Sequence, residues 1–271
     1  TILVIVGVTN AINLADGLDG LAGGICLLSL CCIGYLAYLQ RQPTLGIIAL
    51  AFAGATFAFL RYNTYPASIF LGDVGSQLLG FSSITLAIHL TQCSTSLSPL
   101  LPLIILGFPI LDTLTVMMRR IARGSSPFVA DKTHFHHLLL SLGLKQSESV
   151  MLIYLIQLLL VAVALYLRSF RDDLLLCLYL VFSVIILLLF RRARREKWQI
   201  RQLKLLVWID GCFERLRRTG IIRNLFALLQ GCAVLMLIIT AFLNVDLSPS
   251  TSWVAVVLMA VVVIVAWVRK A

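Results

Sequence analysis

Residues 21–39 read LAGGICLLSLCCIGYLAYL, a run of 19 residues without a charged side chain. As an α-helix this run is about 28 Å long, which is enough to cross the hydrocarbon core of a bilayer. Over the whole chain, 60% of the 271 residues are apolar and 13% are charged. Soluble domains are nearer about one half apolar and about one quarter charged. We therefore expect an integral membrane protein.

The same apolar pattern recurs along the chain and predicts an all-α, polytopic helical bundle. Besides residues 21–39, the predicted spans are 44–60, 77–93, 100–118, 149–167, 174–190, 226–244 and 253–268. Residues 1–9 resemble the end of a further span, so we expect about eight full spans and one incomplete one. The chain opens at Thr1 inside an apolar run, and we expect it to be an N-terminally truncated fragment.

Basic residues lie almost entirely on one side of the predicted membrane. Alternating the spans places 19 of the 22 Lys and Arg residues on one set of loops and three on the other. Because loops rich in Lys and Arg stay in the cytoplasm, we expect residues 10–20, 61–76 and 119–148 on that face. The net charge of +10 then reflects topology, and we expect no nucleic-acid partner. The seven cysteines lie mostly inside apolar runs and are interpreted as buried apolar residues.

A polar cluster, residues 10–20, lies directly before the apolar run at 21–39. It carries Asn10, Asn13, Asp16 and Asp19 at a spacing of i, i+3, so we expect neighbouring members to share a helix face. Carboxylates and amides beside glycines suit a hard cation such as Mg²⁺ and a phosphate-bearing substrate. The alternative is a short solvated loop that uses Asp and Gly as turn formers.

A second cluster, residues 70–76, contains Asp73 between two glycines. Such a carboxylate can reach a metal ion while neighbouring N–H groups meet phosphate oxygens. Phe70 can stack on a nucleobase, since every base offers a π face. The alternative is a turn with a helix N-cap at Asp73 or Ser76.

The third cluster, residues 131–137, holds three of the four histidines in the chain: His134, His136 and His137. On a basic loop they can bind phosphate or move protons. They can also bind Zn²⁺ together with Asp131, although no cysteine stands nearby to complete such a site.

These clusters resemble, in order and spacing, the polyprenyl-phosphate N-acetylhexosamine-1-phosphate transferases of glycosyltransferase family 4. The resemblance rests on residues 10–24, 70–76, 109–112 with Arg119, and 131–138. It implies that a polyprenyl phosphate attacks the β-phosphorus of a UDP-sugar, that UMP leaves, and that the lipid diphosphate sugar stays in the membrane. It also implies Mg²⁺, with Mn²⁺ as the alternative, to neutralise the diphosphate.

The resemblance assigns a role to each matching position of this sequence. The catalytic positions are Asp16, Asp19 and Asp73, and Asp73 binds the metal with Asn13. The substrate-binding positions are Asn63 and Phe70 near the uracil, and His134, His136 and His137 on the loop that holds the diphosphate. The histidine spacing resembles the branch that uses UDP-N-acetylglucosamine, whereas the peptidoglycan branch carries three consecutive histidines. The implied partners are a UDP-N-acetylhexosamine, undecaprenyl phosphate and membrane lipid. The implied location is the bacterial inner membrane, and a homodimer is one possible oligomeric state.

Two features depart from the family. Its adjacent aspartate pair, proposed to bind or deprotonate the lipid phosphate, has no counterpart before residue 10, so we expect residues 1–271 alone to be inactive. More spans follow the histidine loop than the family leads us to expect. We therefore divide the chain into a transferase core at 1–190, a basic amphipathic segment at 191–225, and two extra spans within 226–271. The basic segment resembles an amphipathic helix that lies on anionic headgroups, and the alternative is a plain basic tether that only fixes topology.

Three other interpretations remain open. The first is another phosphosugar transferase, the phospho-N-acetylmuramoyl-pentapeptide transferase, which the histidine spacing disfavours. A transporter would need carboxylates deep inside spans, and only Asp112 comes near that description. A catalytically silent scaffold is the third, because the aspartate pair is missing.

Overall fold

The computed structural model describes residues 1–93, 96–126 and 134–196, and these form helices joined by turns and short loops. The helices are α1 (Ile2–Ala15), α2 (Leu21–Leu39), α3 (Pro43–Asn63), α4 (Gly72–Gln92), α5 (Leu101–Ile105), α6 (Gly107–Ala122), α7 (Phe135–Ser141), α8 (Gln146–Tyr166) and α9 (Asp172–Arg195). The all-α prediction is confirmed for the part of the chain that the structure describes.

Within those ranges, five helices are long and apolar enough to cross a membrane: α2, α3, α4, α8 and α9. They correspond to five of the predicted spans. The predicted spans at 226–244 and 253–268, and residues 197–225 of the predicted basic segment, lie outside the described residues. Helix α9 continues past the predicted boundary at residue 190 and ends at Arg195.

Helix α2 is the centre of the bundle. Most of its length is buried, and it packs against α3, α4 and α8. Its largest side chains, among them Ile25, Leu30, Ile33 and Leu36, are fully buried. Helices α3 and α9 expose most of their apolar surface, as expected for helices that face lipid.

The predicted span at 100–118 is not one continuous helix. Helix α5 ends at Ile105, α6 begins at Gly107, and Leu106 between them leaves helical geometry with φ −111° and ψ 26°. Pro109 explains the break. It has no N–H to donate to the carbonyl of Ile105, four residues earlier, and its ring would clash with that carbonyl.

Polar side chains from three other helices satisfy the carbonyl groups at this break. Ser29 Oγ and Gln157 Nε2 donate to the carbonyl oxygen of Ile105 at 3.0 and 2.6 Å. The hydroxyl of Tyr179 donates to the carbonyl oxygen of Gly107 at 2.9 Å. Irregular backbone is tolerated at membrane depth only where protein groups or water satisfy it. These three side chains therefore fix the point at which α6 begins.

The first two polar clusters also differ from their predicted geometry. Helix α1 ends at Ala15 with Asp16 as its C-cap, so Asp19 does not continue the predicted row on one helix. Helix α4 begins at Gly72, whose φ of +66° suits glycine, rather than near residue 77. Asp73 and Ser76 thus lie in its first turns, and the alternative that one of them is the N-cap is wrong, because the N-cap is Leu71.

Topology can be tested with single cysteines at two exposed serines, Ser96 and Ser141. Ser96 Oγ donates to Gln40 Oε1 at 2.7 Å, which joins the segment after α4 to the turn between α2 and α3. Ser141 ends α7 on the histidine loop. In a background without other thiols, an impermeant reagent added outside should label the cysteine at position 96 and spare the one at 141. Labelling of both from outside would rule out the predicted topology.

Candidate active site

The first and second polar clusters meet at the carboxyl end of α1. Asn13 Nδ2 donates to Asp73 Oδ1 at 3.2 Å and to Ser76 Oγ at 2.8 Å. Asp73 lies near the amino end of α4, where the helix dipole favours a negative charge. An amide and a carboxylate that are distant in sequence therefore share one position in space.

The acidic turn after α1 is tied to the loop after α3. Asp19 Oδ2 accepts a hydrogen bond from the backbone N–H of Ala67 at 3.0 Å. Asn63 is buried; its Oδ1 accepts from Gly20 N at 3.0 Å and its Nδ2 donates to Ile69 O at 2.9 Å. Both ends of the Asn63 amide thus bind backbone and hold the two loops together.

A tyrosine from α8 fixes the same turn from the other side. The hydroxyl of Tyr154 donates to the carbonyl oxygen of Gly20 at 2.6 Å. A Cβ at Gly24 would stand 2.0 Å from that hydroxyl oxygen, so the ring occupies the space that a side chain would fill. Glycine at position 24 is needed for this close approach.

The histidine cluster packs onto the first cluster and onto α6. His134 is buried, and its Nδ1 donates to Asp112 Oδ2 at 3.0 Å. The ring of His136 lies nearly parallel to that of His134, with centroids 5.8 Å apart. A Cβ at Gly17 would stand 2.4 Å from His136 Nε2, so this imidazole rests directly on the glycine. His137 is exposed and close to His136.

Burial and neighbouring charges shift the protonation of two groups in this region. Burial raises the pKa of Asp16 to about 6, and the charges of Asp73 and Asp19 act in the same direction. Burial lowers the pKa of His136 to about 4, helped by His137 and opposed by Asp112. Three carboxylates are therefore close enough to repel one another, a repulsion that a cation relieves, while His136 is neutral at neutral pH.

A cavity of about 1020 Å³ lies between α1 and α6, and Asp16 and the three histidines border it. Its polar lining consists of Asn10, Asn13, Asp16, Thr113, Arg120, His134, His136 and His137. Apolar side chains of α1 and α6, such as Val8, Leu114 and Met117, form much of the remaining wall. One cavity thus offers charged and hydrogen-bonding groups beside an apolar surface, as an amphiphilic ligand requires.

The predicted site residues divide into three groups. Asn13, Asp16, His134, His136 and His137 line the cavity, and Asp73 adjoins it through Asn13. Asp19 and Asn63 hold the surrounding loops, while Phe70 is 75% exposed and is not part of the cavity lining. Asp131 lies outside the described residues.

The contacts of Asp112, Ser76 and Tyr154 were harder to predict from the sequence. Asp112 belongs to the family pattern and is an isolated carboxylate in an apolar stretch. Since a lone charge at such a position needs a partner, that isolation was the available signal for its contact with His134. Ser76 and Tyr154 carry no comparable signal, because their partners are fixed by packing between distant helices.

The residues present fit a Mg²⁺ ion held by few protein ligands. Among the described residues, no three His, Cys, Asp or Glu side chains group closely enough to hold a metal ion. Mg²⁺ is commonly bound by one or two carboxylates, with water and substrate phosphates completing the shell. Asp73 and Asn13 are in contact, and the Asp16 carboxyl, whose pKa is raised first by burial and then by the charges of Asp73 and Asp19, lies near them.

The fold and this cavity define a polytopic helical membrane protein with an acidic, amide- and histidine-lined site. Residues 1–91 match the family Glycosyl transferase family 4. Over 187 residues the chain is 42% identical to a probable undecaprenyl-phosphate N-acetylglucosaminyl 1-phosphate transferase of Bacillus subtilis, covering 69% of the chain and 52% of that protein. Over 223 residues it is 30% identical to the undecaprenyl-phosphate alpha-N-acetylglucosaminyl 1-phosphate transferase of Escherichia coli O157:H7, covering 80% and 59%.

The family predicted from the sequence is thereby confirmed. Residues 1–91 match glycosyl transferase family 4, and the chain is a homologue of the undecaprenyl-phosphate N-acetylglucosaminyl 1-phosphate transferases. It spans about half the length of the curated relatives it matches.

Proposed function

We propose that the full-length protein transfers N-acetylglucosamine 1-phosphate from UDP-N-acetylglucosamine to undecaprenyl phosphate and releases UMP. The observation that carries this proposal is the convergence of three separate motifs on one cavity. Asn13 meets Asp73, and Gly17 meets His136. The names of the relatives supply the lipid and the sugar phosphate. We place the protein in the bacterial plasma membrane with the cavity on the cytoplasmic side, in agreement with the charge of the loops.

The cavity suits a reaction between a lipid phosphate and a nucleotide sugar. Its apolar wall on α1 and α6 can hold the first part of a polyprenyl chain, while the lipid phosphate remains at the polar end. His134 and Arg120, which also line that end, can bind the diphosphate oxygens of the donor. Holding both substrates in line supplies much of the catalysis in phosphoryl transfer.

Asp73 and Asn13 are the residues that would hold the divalent cation. When bound, Mg²⁺ supplies charge neutralisation on the diphosphate as UMP leaves. Asp16 and Asp19 stand beside this pair and concentrate negative charge there. Asp19 also fixes the turn through Ala67, so its proposed contribution includes the shape of the loop.

No observation favours the transporter interpretation over this one. That interpretation depended on Asp112 as a carboxylate at the middle of a span. The carboxylate instead accepts hydrogen bonds from His134, which lines the cavity, and from the backbone N–H of Phe135.

Donor preference tests the proposal. With polyprenyl phosphate present, the full-length protein should release UMP from UDP-N-acetylglucosamine, or a close epimer, and not from UDP-N-acetylmuramoyl-pentapeptide. The reason is the spacing of His134, His136 and His137, which resembles the N-acetylglucosamine branch. UMP release is measured with each donor in turn, and omission of the lipid is the control. A preference for the pentapeptide donor would show that the histidine spacing was misinterpreted.

A further inference from the structure

Asp112 uses both oxygens of a buried carboxylate to hold the histidine segment. The residue lies in α6 and is 4% exposed. Its Oδ2 accepts from His134 Nδ1 at 3.0 Å, and its Oδ1 accepts from the backbone N–H of Phe135 at 2.9 Å. A buried carboxylate is tolerated when its lone pairs are satisfied in this way.

The contact with Phe135 fixes the start of α7. His134 is the N-cap of that helix but makes no side-chain capping bond, so Asp112 supplies an acceptor from another helix. The ring of Phe135 also packs against Phe108 of α6 and Phe190 of α9, with centroids 5.8 and 4.5 Å away. The backbone of the histidine segment is therefore anchored at its first helical residue.

The contact with His134 fixes which ring nitrogen carries the proton. An ionised carboxylate only accepts hydrogen bonds, so Nδ1 of His134 must carry the hydrogen and Nε2 is left for a ligand. The Nε2 atom of His136, by contrast, lies against Gly17 and is not left for a ligand, and the ring is neutral because burial lowers its pKa. The two stacked histidines therefore have different tasks.

We propose that Asp112 is a positioning residue, which keeps a hydrogen on His134 Nδ1 and leaves Nε2 to take up a proton from solvent when the donor diphosphate binds. The new Nε2–H then donates to a diphosphate oxygen of the donor. The resulting imidazolium charge lies against the Asp112 carboxylate. This inference rests on the proposed transfer reaction and adds a residue whose effect passes through His134.

Asp112→Asn separates this role from simple anchoring. The amide oxygen of asparagine can still accept from Phe135 N, so the start of α7 is retained. Its NH₂ group faces His134 Nδ1 and can only donate, so the ring must adopt the Nε2–H form. We expect kcat to fall by about 10²- to 10⁴-fold with little change in KM for the donor. Asp112→Glu, which keeps a carboxylate, should recover part of the lost activity.

Nitrogen NMR of histidine-labelled protein in lipid gives a readout that does not need turnover. The chain has only four histidines, and loss of one signal in His134→Gln assigns the ring. We expect Nδ1–H in the wild type and Nε2–H in Asp112→Asn. Normal kcat in Asp112→Asn, or Nε2–H in the wild type, overturns the inference. Absence of UMP release from the wild type would instead overturn the proposed function, and the NMR result would still decide the Asp112–His134 contact.

Discussion

Asp73→Asn in the full-length protein is expected to abolish turnover, a loss of about 10³-fold, while folding and membrane insertion stay intact. Asparagine has the size of aspartate and keeps an oxygen that can accept from Asn13 Nδ2, so the contact between α1 and α4 survives. What disappears is the negative charge that would hold the cation beside the diphosphate. Transfer is measured as UMP release, and folding as the thermal unfolding midpoint in detergent.

Asp173→Asn is the matched control for this substitution. Asp173 is 64% exposed and pairs with Arg171 at 2.7 Å, and exposed ion pairs contribute about 1 kcal/mol or less. It should retain wild-type transfer. Near-normal activity of Asp73→Asn would remove Asp73 from the site, and an equal loss in both variants would indicate a general effect of charge.

Gly17→Ala is expected to lower kcat/KM by about 10²-fold, because it displaces His136 from the turn that carries Asp16. The new Cβ would stand 2.4 Å from Nε2 and 2.7 Å from Cε1 of that ring, and real Cβ atoms do not come so close. His136 is 3% exposed and stacked on His134, so it cannot move aside without moving the segment. The measurement is donor-dependent UMP release over a range of donor concentrations.

Two further variants make this result specific. Gly54→Ala adds the same methyl group to α3, where a Cβ meets nothing within 4 Å, and should leave transfer unchanged. Adding Gly17→Ala to His136→Ala should cost little beyond His136→Ala alone, because the two positions act through one contact. A Gly17→Ala protein as active as Gly54→Ala would show that the close contact has no role in transfer.

Much of the fold was predictable because hydropathy depends on composition within a single segment. The five long apolar helices were found in this way. The break between α5 and α6 was missed because residues 100–118 have the composition of a span. The partners that make the break tolerable, Ser29, Gln157 and Tyr179, come from three other helices. Pro109 was the local signal, and its weight depends on whether such partners exist.

The site was predictable as a set of residue types and not as a geometry. The clusters at 10–20, 70–76 and 131–137 carry oxygen and nitrogen ligands whose chemistry can be inferred from the residues alone. That Asn13 contacts Asp73 follows from the packing of α1 on α4, which no local pattern encodes. The helical row expected from Asn10 to Asp19 failed for a local reason, since α1 ends before the glycines of the turn.

Following both halves of the transferred group tests the central claim most directly. UDP-N-acetylglucosamine is prepared with radioactive phosphorus in the β-phosphate and tritium in the sugar, and is given to the full-length protein with undecaprenyl phosphate. We expect both labels to enter the lipid fraction in equal amounts while UMP is released. Tritium alone in the lipid with release of UDP, or neither label in the lipid, would contradict phosphosugar transfer by this protein.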